Sequence, residues 1–512
     1  MVTYNVGRAV IWVIICNALV AVAAFLKDVL LAAYAGTSSE SDAFTLAYFI
    51  ADTIANNWLG ASIGAAGVTV LAGVLNEQPP LARGVLRGAL RSCLIAAAII
   101  AGCTGAAAGL LPDPPGVSLL VGIMLPMLVI SAGMGIGIAF MQAHRRFAVP
   151  AAAPLLTHAM ILAAAAAAAL LRLPPSHGLA IVAACVTLGT AASALCIAAA
   201  QRKLRPQPRP SPGPSEAESD RLYIRGQRQR LNRLFAAYSL LAICAQLILY
   251  WERAVAAQLG TGVVSALNYA YRVSQVPVWV LATAMAAVWL PQISALYAAN
   301  RRQEVNELAG HAVRFMVRLM LPISLVMFIW SGPMVAVLFQ RGAFTHESAA
   351  LTAGLLSGYS LAVAGYSLSV LLTRYWLAAG NMKRAALILT GGAVFTAIVQ
   401  WQCVKLWGAD GIGYGAAIGA NVQALVFCLP LLRGKRPDWT EAAFAAVGLL
   451  AALLAARAGL RLWRLLGIHE SFGFAGGILI LALFMAVPLA AYFAVMGRRL
   501  VKDFAAIKGE FH

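Results

Sequence analysis

The chain has 512 residues, of which 61% are hydrophobic and only 11% charged. Soluble domains carry about 25% charged residues, so too few polar side chains exist here to cover a water-facing surface. The formal net charge of +19 would point to nucleic acid in a soluble protein. Here Lys and Arg stand mostly in short gaps between apolar runs, where they fix orientation and meet anionic lipid heads. No nucleic-acid partner is expected.

The apolar runs cover, in chain order, 9–34, 44–74, 92–111, 117–141, 151–171, 179–200, 234–258, 264–297, 312–339, 347–379, 385–407, 412–432, 440–456 and 472–496. A helical span needs roughly 20 such residues. The pattern predicts an all-α integral membrane protein of about 14 transmembrane helices. The first run is too long for the apolar region of a secretory signal and is read as an uncleaved span. The second and eighth runs exceed the hydrocarbon thickness and should tilt, bend or protrude.

Charge alternates between the gaps. One set holds Arg83, Arg87 and Arg91, then Arg145 and Arg146, the segment 201–233, Arg301 and Arg302, Lys383 and Arg384, Arg433, Lys435 and Arg436, and the tail with Arg498, Arg499, Lys502 and Lys508. The other set is nearly free of Lys and Arg, apart from Arg172, Arg341 and the group Arg457, Arg461 and Arg464. The positive-inside rule places the first set and both termini in the cytoplasm.

Segment 201–233 opens Pro-rich and basic (RKLRPQPRPSPGPSEAESD) and ends RLYIRGQRQRLNR. The first part reads as a flexible linker and the second as an amphipathic helix on the inner leaflet. Around it, 1–200 forms a six-span lobe and 234–437 a second, followed by a two-span hairpin and basic tail at 438–512. DVLLAAYAGTSSES (Asp28–Ser41) matches ERAVAAQLGTGVVS (Glu252–Ser265) without gaps: Ala32 meets Ala256, Gly36-Thr37 meets Gly260-Thr261, and Ser41 meets Ser265. Two lobes in parallel repeat are a transporter architecture.

Charges within spans are costly and mark function by default. They are Lys27 and Asp28 in span 1, Asp42 and Asp52 in span 2, Glu252 and Arg253 in span 7, Arg272 in span 8, Arg374 in span 10 and Lys405 in span 11. Their positions in corresponding spans fit a polar cavity. Each also has a structural reading. Lys27-Asp28 and Glu252-Arg253 are either neutralised packing pairs, although neighbours in sequence do not face each other on a helix, or gating charges. Asp42 is either an N-cap of span 2 or a site residue, and Lys405 snorkels to the outer interface. Arg272 lies just before Pro277, which should bend the helix, and its guanidinium fork suits a phosphate or pyrophosphate. The hairpin 438–512 either shelters a lipid tail or only packs. The eight Cys and seven His are scattered without metal spacing, and no metal or cofactor is expected.

Three stretches carry a resemblance: SALNYAYRVSQVP (Ser265–Pro277), LFQRGAF (Leu338–Phe344) and LLTRYWLAAGNMK (Leu371–Lys383). With Asp28 and SDAF (Ser41–Phe44), they resemble, in order, the MurJ (MviN) family of the multidrug/oligosaccharidyl-lipid/polysaccharide exporter superfamily. The resemblance implies a lipid II flippase of the bacterial cytoplasmic membrane, not an enzyme, working by alternating access on a polyprenyl-pyrophosphate-linked glycan. It implies substrate contacts at Arg272, Arg374, Lys27, Asp28, Asp42, Asp52 and Arg253, and gating by Lys27, Asp28, Glu252 and Arg253. Lys27 takes the place of a span 1 Arg. The family usually has a further Arg upstream, where this chain reads NALVAVAAF, and one in mid-span 2, where it reads ADTIANNWLG. Some relatives bind sodium between spans 7 and 11; span 11 here offers no clear carboxylate, and that site is not carried over. A flippase for another lipid-linked polysaccharide precursor fits the same architecture, and a multidrug-type antiporter is a further alternative. Besides the substrate and membrane lipids, no protein partner is indicated. A membrane glycosyltransferase would need an outer catalytic loop, and 457–471 offers only His469 and Glu470.

Overall fold

The computed structural model describes residues 6–109, 116–204, 214–283, 285, 286, 289, 293, 296, 297, 299–379, 381–432, 439–467 and 474–509. Among them there is no strand, and 13 helical segments are long and apolar enough to span a membrane. The eighth apolar run is the one without such a segment. It begins as a helix at Val263 but runs on through residues that lie partly outside those described. The chain is a multi-pass α-helical membrane protein. It divides into two compact units, Met1–Gln246 and Leu247–His512.

The first unit contains α1 (Val6–Ala35), α2 (Ser39–Asp52), a π-helical stretch (Thr53–Gly60), α3 (Ala61–Glu77), α4 (Ala82–Ala108), α5 (Val117–Ala143), the short α6 (Ala148–Ala152), α7 (Pro154–Leu170) and α8 (Pro175–Arg202). Helix α5 is apolar all round, as a helix surrounded by others should be. It packs on α2, the π stretch, α3, α4 and α8. Half of its spanning window is buried, the largest share in this unit.

Helix α9 (Pro214–Gln258) crosses from one unit to the next. Here the sequence expectation is corrected. The stretch 221–233 is not a separate interfacial helix but the beginning of the helix of span 7. Tyr223 Oη donates to Glu77 Oε2 at 2.9 Å, and Leu231 is fully buried. Anchored on one side in this way, the charged stretch continues the helical hydrogen bonding into the membrane. The linker's Pro-rich core, 205–213, lies outside the described residues, as do His469 and Glu470.

The second unit continues with α10 (Val263–Pro277), a π-helical stretch (Val278–Ala282), α11 (Arg302–Ile329), α12 (Ser331–Phe339), α13 (His346–Ala378), α14 (Met382–Trp407), α15 (Asp410–Leu432), α16 (Trp439–Leu465) and α17 (Phe474–Gly509). The run read as one span over 312–339 is two helices, because Trp330 leaves helical geometry (φ −98°, ψ 12°). Helix α13 is the hub, contacting α10, α11, α12 and α15, and 72% of its spanning window is buried. The hub is therefore the fourth span of each unit.

Other features repeat at matched places. Gly36 and Gly260 both take positive φ (60° and 119°) where the chain turns out of spans 1 and 7, a conformation glycine adopts without a Cβ clash. Carried forward without gaps, the Asp28–Glu252 register lays 53–60 over 277–284, and each region holds a π-helical stretch. Both overlong runs thus widen their helix in mid-course, a form that π-bulges take at functional sites.

The hairpin α16–α17 packs on α11. Trp330, Trp463 and Phe484 form a three-ring cluster with centroids 5.6–5.7 Å apart. The hairpin's two spanning windows are each only 17% buried, so most of their surface faces lipid.

The close approach of α13 to α15 depends on Gly358. A Cβ there would stand 2.7 Å from Gly413 Cα. Small residues at such crossings let backbones meet in a membrane. Gly358→Ala is expected to lower thermal stability in detergent by about 1–3 kcal/mol, the scale of overpacking. Gly391→Ala, on exposed α14 with open space around the new methyl, is expected to be neutral or slightly stabilising. Equal melting of both variants would show that the α13–α15 crossing is not tight.

Candidate functional site

In the first unit, Lys27 and Asp28 are both buried, and Lys27 Nζ donates to Asp28 Oδ1 at 2.7 Å. Adjacent helical residues do not face each other, yet the long Lys side chain bends back to its neighbour. The same ammonium lies 4.6 Å from the centroid of the Tyr48 ring, an added stabilisation for a cation removed from water. Tyr48 in turn lines a cavity of about 300 Å3 with Asp52, Asn56, Ser131, Thr157, His158 and Thr190. Asn56 Nδ2 donates to Asp52 Oδ1 at 2.8 Å. The spacing of these two residues falls where α2 passes into the π stretch. Ser131 is fully buried, and its Oγ has no hydrogen-bond partner. A buried unmet hydroxyl costs free energy, so this wall is suited to a polar guest or water.

Asp42 is buried one turn into α2. The cap reading is corrected: Ser38 is the N-cap, its Oγ accepting from Ser41 N at 3.2 Å. The N-cap at Ser38, and so the start of helix α2, comes four residues earlier than a cap at Asp42 implies, because Ser38 already supplies the oxygen.

The second unit repeats the arrangement with the charges in reverse order. Glu252 and Arg253 are buried, 3.3 Å apart from Oε2 to Nη1. The Arg253 guanidinium lies 5.3 Å from the Tyr271 ring centroid. In the register of the repeat, Tyr48 falls over Arg272, beside Tyr271. Each unit therefore places an adjacent acid–base pair from its first span beneath a tyrosine of its second. Gln400 Nε2 donates to Glu252 Oε1 at 2.8 Å and to the Ile412 carbonyl at 3.2 Å. Tyr271 meets the fully buried Tyr359 edge to face, centroids 5.7 Å apart.

Arg272 is half-buried beside Tyr271, in the last two turns of α10 before the π stretch. Arg374 is exposed on α13, and no described contact brings it to the Glu252 cluster. Lys405 is exposed, with its ammonium 5.3 Å from the Trp401 ring centroid. Sequence reasoning missed Gln400, Ser131 and His158. Each is a polar residue inside an apolar run, and that was the available signal. Gln400 occupies the span 11 position that meets Glu252, with a neutral amide and not a carboxylate. Among the described residues, no group of three or more His, Cys, Asp and Glu side chains is placed to hold a metal ion.

The motifs that carried the resemblance serve mainly as packing. Tyr269 of the first stretch meets Phe339 and Phe344 of the second, with ring centroids 5.2 and 5.8 Å away. In the third, Tyr375 Oη donates to Asn306 Oδ1 at 3.0 Å, and the Arg384 guanidinium lies 4.7 Å from the Trp376 ring.

Comparison with known proteins agrees with this architecture. The family model described as "Lipid II flippase MurJ" matches residues 31–485. A lipid II flippase MurJ of Burkholderia cenocepacia is 26% identical over 440 residues, covering 83% of this chain and 84% of that protein. A probable lipid II flippase MurJ of Rickettsia prowazekii is 27% identical over 164 residues, about a third of either chain (32% and 31%). A solved structure of lipid II flippase MurJ in an inward closed conformation superposes with a TM-score of 0.73 at 17% identity, over 94% of this chain and 99% of that one. An inward-facing multidrug resistance transporter of the MATE family gives 0.62 at 14% identity, over 81% and 93%. The two structural matches speak for the fold, and the family match over nearly the whole length speaks for descent. This chain belongs to the lipid II flippase MurJ family.

Proposed function

We propose that this protein is a flippase that carries lipid II, the polyprenyl-pyrophosphate-linked peptidoglycan precursor, from the inner to the outer leaflet by alternating access. The observation that carries the reading is the family match over 31–485, on a chain whose two units each hold a buried, neutralised ion pair. Arg272 is the proposed pyrophosphate contact, with its planar fork matched to phosphate oxygens. Arg374 is a second, more exposed contact. The Asp52–Asn56 pair and Ser131 suit hydroxyls and amides of the glycan and peptide. Asp42 lies on the same span as Asp52. Lys27, Asp28, Glu252 and Arg253 are the proposed gating charges, and Lys27, Asp28 and Arg253 are proposed to contact the head group when their pairs open. Gating requires that their interactions differ in free energy between access states.

The function is tested by replacing a cell's own lipid II flippase with this protein. Growth without internal accumulation of lipid II is the expected outcome. Accumulation of lipid II despite normal membrane levels would remove the proposal. In the same cells Arg272→Ala is expected to abolish complementation, and Arg272→Lys to restore it only partly, because a point charge lacks the fork. Full growth of the Ala variant would leave Arg272 a packing role.

Orientation is proposed from the Lys/Arg alternation, with both termini and 201–233 in the cytoplasm. In a Cys-free background, an impermeant thiol reagent should reach Ser39→Cys from outside and miss Ser211→Cys. Outside labelling at 211 would reverse the assignment.

A further inference from the structure

Where the hairpin α16–α17 meets α11, away from the buried pairs, there is a cavity of about 520 Å3. Its walls carry His311, Arg314, Arg318, Glu441, Arg499, Lys502 and Asp503. Arg318 is the keystone. Its side chain is only 8% exposed, Nη2 reaches Glu441 Oε2 at 2.7 Å, and Nη1 donates to Asp503 Oδ2. Asp503 also lies 3.6 Å from Arg314 Nε and 3.2 Å from His311 Nδ1. Two carboxylates therefore serve Arg318 first and Arg314 second. Arg499 lies with its guanidinium 4.1 Å from the Phe444 ring, a stacking that leaves in-plane N–H donors for an acceptor. Lys502 is exposed on the rim. Four permanent cations face two carboxylates, so the cavity holds an excess of positive charge.

The position restricts the source of the anion. Glu441 stands at the start of the apolar run of α16, and Arg498, Arg499 and Lys502 follow the apolar run of α17, so the cavity belongs at the polar ends of these two helices, on the side of the C-terminal tail. The spanning windows of α16 and α17 that lead to it are mostly unburied, giving acyl chains an apolar surface beside a cationic head site. Basic pockets between helices on the cytoplasmic side are fitted to phosphate-bearing head groups. We propose that this cavity binds the phosphodiester head group of an anionic phospholipid of the inner leaflet, with Arg314, Arg499 and Lys502 as its donors and the Arg318 network as the floor that holds α11, α16 and α17 together around it. The proposal rests on the orientation given above and not on the identity of the transported glycan.

The test is thermal unfolding of the purified full-length protein in neutral detergent, titrated with phosphatidylglycerol, phosphatidylcholine or inorganic phosphate. Phosphatidylglycerol is expected to raise the midpoint, and the other two to leave it unchanged. In Arg499→Gln/Lys502→Gln the apparent affinity for phosphatidylglycerol should fall about tenfold or more, the loss of one charge-assisted hydrogen bond. Arg498→Gln, an exposed neighbour outside the cavity, should bind as the parent does. If the double variant does not fold, the rim change Lys502→Gln alone should still weaken binding. Equal stabilisation by phosphatidylcholine, or unchanged affinity in the cavity variants, overturns the site. Phosphate alone matching the lipid would assign the cavity to a soluble anion and overturn the lipid assignment.

Discussion

A carboxylate and a cation can both stay ionised inside a membrane lobe only if they neutralise one another and keep their remaining hydrogen bonds. Taking ions out of water costs several kcal/mol each even after relaxation. The Glu252–Arg253 pair meets that demand with a second donor to the acid from Gln400 and an aromatic face for the cation. Lys27–Asp28 is neutralised within the pair, with the Tyr48 ring beside the cation. Replacing such pairs with apolar residues is often neutral or stabilising, so stability alone does not account for them. In the gating role proposed above, the balanced charge at the first span of each lobe exchanges partners between access states.

The geometry around the pairs follows from this constraint. Each tyrosine stands shortly before a π-helical stretch, so the helix that covers the ion pair is also the one with loosened regular hydrogen bonding. In the first unit that stretch borders a polar cavity. In the second it follows Arg272 and Pro277. Behind each stands a hub helix, α5 or α13, that packs on most of its own unit.

Much of the fold was legible because the bilayer demands long apolar runs, and these survive in sequence as plainly as in space. The repeat was legible from Gly36 and Gly260, whose positive φ restricts what can replace them. The overlong runs 44–74 and 264–297 announced an irregularity but not its form, since a π-helical widening leaves no residue signature. Asp42 was open to a capping reading because Ser41 and Ser38 offer the same oxygen, and only the backbone decides between them. The adjacent ion pairs were underrated because Cβ directions at neighbouring helical positions diverge, while the reach of Lys and Arg overcomes that divergence. Gln400 is hard to find in sequence because it carries no charge. Its amide meets Glu252 as a hydrogen-bond donor, a role that charge counting does not register. The length of α9 was obscured by its charged first half, which composition marked as a surface segment.

Thermal unfolding of the purified protein in which the Glu252–Arg253 pair is dismantled stepwise tests the buried pair most directly. Arg253→Gln alone leaves an uncompensated buried acid and should lower stability by about 3–5 kcal/mol, the scale for breaking a buried pair. Glu252→Gln/Arg253→Gln removes both charges and should recover much of that loss, giving a clearly non-additive cycle. A double variant as unstable as the sum of Arg253→Gln and Glu252→Gln measured singly would contradict the pairing, and with it the idea that each lobe is organised around a neutralised buried charge.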